Sequence, residues 1–125
     1  MLAVLVVDDF RDGADLTSEI VRLLGHDAHV AYSGQSALEL AHTFRFDIVL
    51  LDLELPDLTG FEVLHRLRSE PLRSSAYMVA TTGYADVRTQ QRVRDEGFHE
   101  YAPKPVAIAD IRMLLDRATL SRHAR

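Results

Sequence analysis

The chain has no cysteine among its 125 residues. It therefore carries neither a disulfide framework nor a thiolate metal site, which fits a reducing compartment. Long hydrophobic runs are missing as well. The apolar stretch at residues 2–7 is far shorter than the roughly 20 residues that span a bilayer, and it lacks a basic leader. We therefore predict a cytoplasmic protein that has no membrane partner.

The chain also lacks an excess of basic charge. Fourteen Lys and Arg residues stand against 19 Asp and Glu residues, a formal net charge of −5, which argues against nucleic acid as a direct partner. What the chain does have is the composition of an ordinary globular domain, 47% hydrophobic and 26% charged. Its length suits one domain with its own core. We expect that domain to cover residues 1–120 and a C-terminal tail to cover residues 121–125.

Two kinds of segment alternate along the chain. Short apolar runs with β-branched residues predict strands at residues 2–7, 28–32, 48–51 and 76–81, and a weaker one at 100–102. Helical spacing of apolar residues follows each strand. Four helices are predicted in this way, and the apolar residues that indicate them are, helix by helix, Leu16, Ile20, Leu23 and Leu24; Ala37, Leu38, Ala41 and Phe44; Phe61, Leu64 and Leu67; and Ile108, Ile111, Leu115 and Ala118.

The predicted helix within residues 86–96 is the weakest of the five. It offers only Val87 and Val93 for burial, and we expect it to dock weakly. Five strand–helix units in succession nevertheless predict an α/β fold, a (βα)5 arrangement in which helices cover both faces of a parallel five-stranded sheet.

Polar residues follow the predicted strands, where a doubly wound sheet binds its ligands. Three carboxylates brought together there would repel one another unless they were protonated or bound a hard cation, such as Mg²⁺, that accepts oxygen ligands. A lysine would add a second positive contact for a phosphoryl group, and a lone central aspartate suits a nucleophile that forms an aspartyl-phosphate. In chain order these residues are Asp8 and Asp9, Asp52, Thr82 and Gly83, and Lys104.

Four segments, in order, resemble the motif blocks of the receiver domain of two-component response regulators. They read VLVVDDF, VLLDLELPDLTGFEVL, VATTGYA and YAPKPV, and the resemblance extends over essentially the whole chain. It implies the CheY-like superfamily and a flavodoxin-like sheet of strand order 2-1-3-4-5. The implied function is that of a phosphoacceptor in a phosphorelay. The donor would be a histidine kinase or a histidine phosphotransfer domain, and the protein would be a monomer or a weak, phosphorylation-dependent dimer.

The resemblance also implies roles for single residues. Asp52 would be phosphorylated. A Mg²⁺ or Mn²⁺ ion would bind Asp9 directly, Asp8 through water, Asp52, and the backbone carbonyl of Glu54. The phosphoryl group would contact Thr82, Gly83 and Lys104, and the conformational switch would consist of Thr82 and Tyr101.

Pro103, directly before Lys104, departs from the family pattern because it has no backbone N–H. Proline is tolerated at a sheet edge, so we expect the fifth strand to lie there.

Two other functions stay open. A phosphatase that forms an aspartyl-phosphate usually carries its nucleophile after the first strand, unlike Asp52. An interaction module with an inactive site is the other, and the intact set of acidic residues with Thr82 and Lys104 argues against it.

Overall fold

A computed structural model of the chain describes residues 1–69, 75–84 and 86–124. Within these ranges five strands and five helices alternate. The strands are β1 (Ala3–Val7), β2 (Asp27–Ala31), β3 (Ile48–Asp52), β4 (Tyr77–Thr82) and β5 (Glu100–Pro103). The helices are α1 (Arg11–Leu23), α2 (Gly34–Thr43), α3 (Gly60–Arg68), α4 (Val87–Glu96) and α5 (Ile108–Ala124). The ends of every strand lie within one residue of the predicted ends.

The five strands form one parallel sheet in the order β2-β1-β3-β4-β5. This confirms the predicted α/β fold and strand order. Strand β1 pairs with both β2 and β3, so the order of the strands reverses beside it. Strand β5 lies at one edge, and Pro103 pairs with Thr82 at its end. The proline therefore stands on an edge strand, as expected.

Both faces of the sheet are buried, which explains why the central strands read as continuous apolar runs. Successive side chains of a strand point to opposite faces. Leu5 and Val7 of β1 belong to one core cluster, with residues of α2, α3 and α4. Val4 and Val6 belong to the other, with residues of α1 and α5.

Several helix faces differ from the prediction. Leu16 and Leu23 are exposed, whereas Ile20 and Leu24 pack against the core as predicted. The fully buried residues of α1 are Ala14, Ser18 and Val21. Three more apolar residues that marked helices are exposed, and each lies at a helix end; they are Phe44, Val87 and Ile108.

Helix α4 has little apolar surface to bury, as its sequence indicates. Val93 is its buried residue, and Phe98, just after the helix, is buried against Phe61 with ring centroids 5.8 Å apart. A charged residue adds to this contact, because the guanidinium of Arg92 lies 4.0 Å from the centre of the Phe61 ring. An arginine over an aromatic face is attracted by the ring's negative quadrupole. The helix is thus attached to α3 by a cation–π contact that an apolar pattern does not reveal.

Polar contacts also join the carboxyl ends of α3 and α4. Arg68 donates a hydrogen bond to the carbonyl of Gly97 at 3.0 Å, and Gly97 caps α4 with a φ of 111°. A positive φ of this kind favours glycine. His65 lies 3.4 Å from the carboxylate of Glu96. These contacts hold α4 at its last turn, whereas its first turn is exposed.

Helix α5 continues to Ala124, through four of the five residues that the sequence analysis assigned to a tail. The backbone of residues 121–124 is therefore helical, and a domain boundary at residue 120 stays a proposal. No helix in the described ranges has the length and apolar character that a bilayer crossing requires.

We expect Arg92→Ala to loosen α4 while the rest of the domain stays folded. A cation–π contact at an exposed site contributes about 0.5–1 kcal/mol, so amide exchange across α4 should become roughly two- to fivefold faster. Arg88→Ala is the matched control, because it removes an exposed arginine from the first turn of the same helix. If the two variants exchange at the same rate, Arg92 does not hold the helix.

Candidate functional site

The carboxyl ends of the strands bring the predicted site residues to one edge of the sheet. Asp52 is the last residue of β3, and Thr82 is the last of β4. The backbone N–H of Asp8 donates to the carbonyl of Ala31 at 3.0 Å, and that of Lys104 donates to the carbonyl of Thr82 at 2.9 Å. Both bonds extend the ladders of the sheet past the strand ends. The side chains of Asp8, Asp52 and Lys104 therefore project from backbone that the sheet holds in place.

Three carboxylates form the centre of the site. One oxygen of each of Asp8, Asp9 and Asp52 lies within 4.8 Å of the corresponding oxygens of the other two. Asp52 is 2% exposed and Asp8 is 9% exposed, while Asp9 faces solvent. Hard divalent cations prefer a donor set of carboxylate oxygens open to water on one side, because they keep several bound waters. The cluster can therefore hold a metal ion.

Lys104 joins two of these carboxylates. Its Nζ lies 3.0 Å from Oδ2 of Asp52 and 3.3 Å from Oδ2 of Asp8. The remaining oxygens accept backbone hydrogen bonds, Asp52 Oδ1 from the N–H of Glu54 and Asp8 Oδ1 from the N–H of Phe10, each at 3.0 Å. Every oxygen of the two buried carboxylates thus has a donor.

These contacts do not fully offset the removal of Asp52 from water. Burial raises the pKa of Asp52 to about 6, although the N–H of Glu54 and the ammonium of Lys104 both lower it. Burial alone would lower the pKa of Lys104, but its hydrogen bonds with Asp52 and the charges of Asp52 and Asp8 outweigh burial, and the pKa is raised. The lysine therefore stays charged and partly compensates a carboxylate that is costly to ionise.

The chain turns sharply after Asp52. The N–H of Gly60 donates to the carbonyl of Leu53 at 2.9 Å, and Glu54 forms an isolated bridge with Thr59. A Cβ atom on Gly60 would lie 2.6 Å from the carbonyl oxygen of Asp52. Only glycine allows the backbone to return this close to the end of β3. The turn brings the first residue of α3 back against the end of β3.

Thr82 and Gly83 lie beside the acidic cluster at the end of β4. The hydroxyl of Thr82 donates to the carbonyl of Tyr84 at 2.9 Å and accepts from the N–H of Tyr84 at 3.0 Å. These two bonds engage the hydroxyl with its own loop. Gly83 is exposed, and apart from its chain neighbours no atom of the described residues lies within 4 Å of the position of an added Cβ.

Tyr101 lies on β5 opposite Ala80 and is half-buried against the core cluster on the α2, α3 and α4 side. The fold thus gathers Asp8, Asp9, Asp52 and Lys104 into one cluster and sets Thr82 next to it. It places Tyr101 on the edge strand rather than in the cluster.

Asp57, to which the sequence analysis assigned no role, makes two long-range contacts. Its carboxylate accepts the backbone N–H groups of Gly34 at 2.8 Å and Gln35 at 2.9 Å. The bonds from Gln35 and Gly34 lower the pKa of Asp57. Its partners lie more than twenty residues away in sequence, so no local pattern could have indicated them.

Comparisons with known proteins give one consistent result. The model of the family described as the response regulator receiver domain matches residues 4–116. A response regulator receiver protein of Anaeromyxobacter sp. (strain Fw109-5) is 42% identical over 108 residues, which are 86% of this chain and 44% of that protein. The chain therefore spans less than half the length of that relative.

A second relative and a solved structure agree with this match. The polar-differentiation response regulator DivK of Brucella anthropi is 27% identical over 106 residues, which are 85% of this chain and 86% of that protein. The crystal structure of a CheY-like response regulator receiver domain protein from Methanospirillum hungatei JF-1 superposes with a TM-score of 0.89 at 25% identity. It covers 100% of this chain and 99% of the other.

We expect Asp52→Asn to be more stable than the wild type at neutral pH when no divalent cation is present. The folded protein holds the Asp52 proton more tightly than the unfolded chain, because its pKa rises from 3.8 to about 6. The contribution of Asp52 to the free energy of unfolding therefore falls as the pH rises through that window and stays low above it.

The difference in the free energy of unfolding between Asp52→Asn and the wild type should thus shrink as the pH is lowered from about 6 to about 4. Urea unfolding in a chelating buffer at a series of pH values measures it. A stability difference that did not change across this window would show that Asp52 is not strained by its burial.

Proposed function

The chain belongs to the response regulator receiver domain family, and from this membership we propose that it accepts a phosphoryl group on Asp52 with the aid of a divalent metal ion. The observation that carries the proposal is the buried carboxylate of Asp52 at a strand tip, with Asp8, Asp9 and Lys104 around it. Such an arrangement concentrates positive charge, from a cation and an ammonium, where an anionic phosphoryl group must arrive.

The protein ligands of the metal ion in this proposal are Asp9, Asp52 and the backbone carbonyl of Glu54, with Asp8 bound through water, and the ion is Mg²⁺ or Mn²⁺. When bound, it neutralises charge on the phosphoryl oxygens. The cluster suits such an ion because its donors are hard oxygens, one of them open to solvent. Without a cation, Lys104 is the one cationic side chain within residues 1–69, 75–84 and 86–124 that forms ion pairs with the buried carboxylates of Asp8 and Asp52.

Phosphoryl transfer follows from the chemistry of a carboxylate nucleophile. An oxygen of Asp52 attacks the phosphorus of a phosphohistidine, an O–P bond forms, the N–P bond breaks, and the electron pair leaves with the imidazole. Asp52 has to be ionised to attack. A pKa of about 6 leaves it ionised at neutral pH. Lys104, the hydroxyl of Thr82 and the N–H of Gly83 then bind the phosphoryl oxygens.

The conformational output in this proposal begins at Thr82. Its hydroxyl must exchange the bonds to Tyr84 for a bond to the phosphoryl group. Tyr101, on the neighbouring strand, moves into the space that this rearrangement opens. Phosphorylation thereby shifts a pre-existing equilibrium toward a second arrangement of β5 and α4.

We further propose a histidine kinase or a histidine phosphotransfer domain as the donor, in the cytoplasm. The protein catalyses only its own phosphorylation and dephosphorylation, and it acts on other proteins by contact. No direct nucleic-acid or membrane contact enters this proposal, and the expected oligomeric state is a monomer or a weak, phosphorylation-dependent dimer.

Incubation with acetyl phosphate and Mg²⁺ should add one phosphoryl group to the wild-type protein, detectable as intact mass. Asp52→Asn should add none, because an amide is not a comparable nucleophile. A chelator should prevent uptake in the wild type. Asp116→Asn, a substitution at an exposed position of α5, is the matched control and should take up phosphate as the wild type does.

The three candidate functions differ in this experiment. A phosphatase would release phosphate over many turnovers, and an inactive module would take up nothing. Uptake by Asp52→Asn at the wild-type rate would refute the assignment of the phosphorylated residue.

Beryllofluoride, which stands in for a phosphoryl group, should change amide exchange at Tyr101 and across α4 in the wild type. Thr82→Ala should lose most of that change, because it removes the hydroxyl that senses the ligand. Thr82→Ser keeps the hydroxyl and is the matched control. If Thr82→Ala responds as fully as Thr82→Ser, the signal does not pass through Thr82.

A further inference from the structure

The loop of residues 53–59, between β3 and α3, is bound to the first turn of a different helix. The carboxylate of Asp57 accepts the N–H groups of Gly34 and Gln35, at 2.8 and 2.9 Å. These are the first two residues of α2. The first N–H groups of a helix have no partner within it, and an anion there also interacts favourably with the helix dipole. Asp57 therefore supplies α2 with acceptors from outside the helix.

Helix α2 already has a local cap of its own. The hydroxyl of Ser33 accepts the N–H of Ser36 at 3.1 Å. The acceptor from the loop is thus additional to the side-chain cap with which a helix ordinarily begins. The bonds of Asp57 join two separate elements, whereas the bond of Ser33 stays within one.

Close packing supports the same junction independently of the hydrogen bonds. A Cβ atom on Gly34 would lie 2.9 Å from Cβ of Leu58 and 3.0 Å from Cγ2 of Val63. The start of α2 therefore lies directly against the loop and the first turns of α3. Leu58 in turn packs against the core cluster. The outer part of the loop is held between α2 and the core.

The inner part of the same loop belongs to the acidic site. The N–H of Glu54 donates to Oδ1 of Asp52 at 3.0 Å, and Glu54 pairs with Thr59 across the loop. Only Leu55 and Pro56 separate Glu54 from Asp57, and proline fixes its own φ. Because this segment is short and contains a proline, we expect a displacement of Asp57 to move the peptide groups of Glu54 as well.

We propose that Asp57 is a positioning residue for the metal and phosphoryl site. By fixing the loop against α2, it holds the N–H of Glu54 toward Asp52 and the carbonyl of Glu54 in place for the cation. The inference rests on the proposed function, in which that carbonyl is a metal ligand. Asp57 itself touches neither the cation nor the phosphoryl group.

The test compares Mg²⁺ affinity and amide exchange in the purified domain. Asp57→Ala should weaken Mg²⁺ binding about threefold to tenfold, at or below the lower end of the range for residues that orient metal ligands. It should also speed exchange of the Glu54 amide by a similar factor. A nuclear magnetic resonance titration with MgCl₂ gives the affinity, and hydrogen–deuterium exchange followed by the same method gives the exchange rate of the Glu54 amide. Asp57→Asn, which keeps an acceptor oxygen, should recover part of each.

Ser33→Ala is the matched control, because it removes a cap from the same helix and leaves the loop untouched. It should lower the stability of the fold while Mg²⁺ affinity and Glu54 exchange stay at wild-type values. Equal effects of Ser33→Ala and Asp57→Ala would overturn the inference, since Asp57 would then act only through the stability of α2. Unchanged Mg²⁺ affinity and exchange in Asp57→Ala would overturn it as well.

A different experimental result would show that the proposed function itself is wrong. A wild-type protein that neither binds Mg²⁺ nor takes up phosphate would refute that function. Exchange of the Glu54 amide in the metal-free protein would still decide whether Asp57 positions the loop, because that hydrogen bond needs no cation.

Discussion

Electrostatic repulsion among carboxylates at the end of a buried sheet is the constraint on which the rest of the structure depends. Asp8 and Asp52 are both nearly removed from water, and in the part of the chain that the structure describes the ammonium of Lys104 is what forms ion pairs with them. Ionised groups in such surroundings are stable only when they are paired and hydrogen-bonded. The apolar strands, the tight return at Gly60 and the backbone donors of Phe10 and Glu54 all serve to keep this unfavourable arrangement in place.

The sequence revealed much of this because the relevant signals are local. Strands buried on both faces read as unbroken apolar runs, and a parallel sheet brings their carboxyl ends together, so the positions of Asp8, Asp52 and Lys104 could be foreseen. The expected strand order and the edge position of β5 are confirmed. The functional roles of the site residues stay proposals.

Other features depend on contacts between distant parts of the chain. Nothing in the polar sequence of α4 indicates that Arg92 will lie over the ring of Phe61. The two bonds that engage the hydroxyl of Thr82 with Tyr84 depend on the path of a loop, not on residue type alone. Errors in helix faces fell mostly at helix ends, as with Phe44 and Ile108, where spacing along the helix no longer decides burial.

Pro103 has a consequence for the rigidity of the edge strand. The N–H of His99 bonds to the carbonyl of Met78, and alternation along β5 would assign the carbonyl of Thr82 to a donor at position 103. Proline has none, and the N–H of Lys104 forms this bond instead. The last rung of the ladder therefore belongs to the residue whose ammonium compensates the acidic cluster. Fraying of the edge strand from this end would move the ammonium of Lys104 away from Asp8 and Asp52, so local unfolding there would increase the repulsion between the two carboxylates.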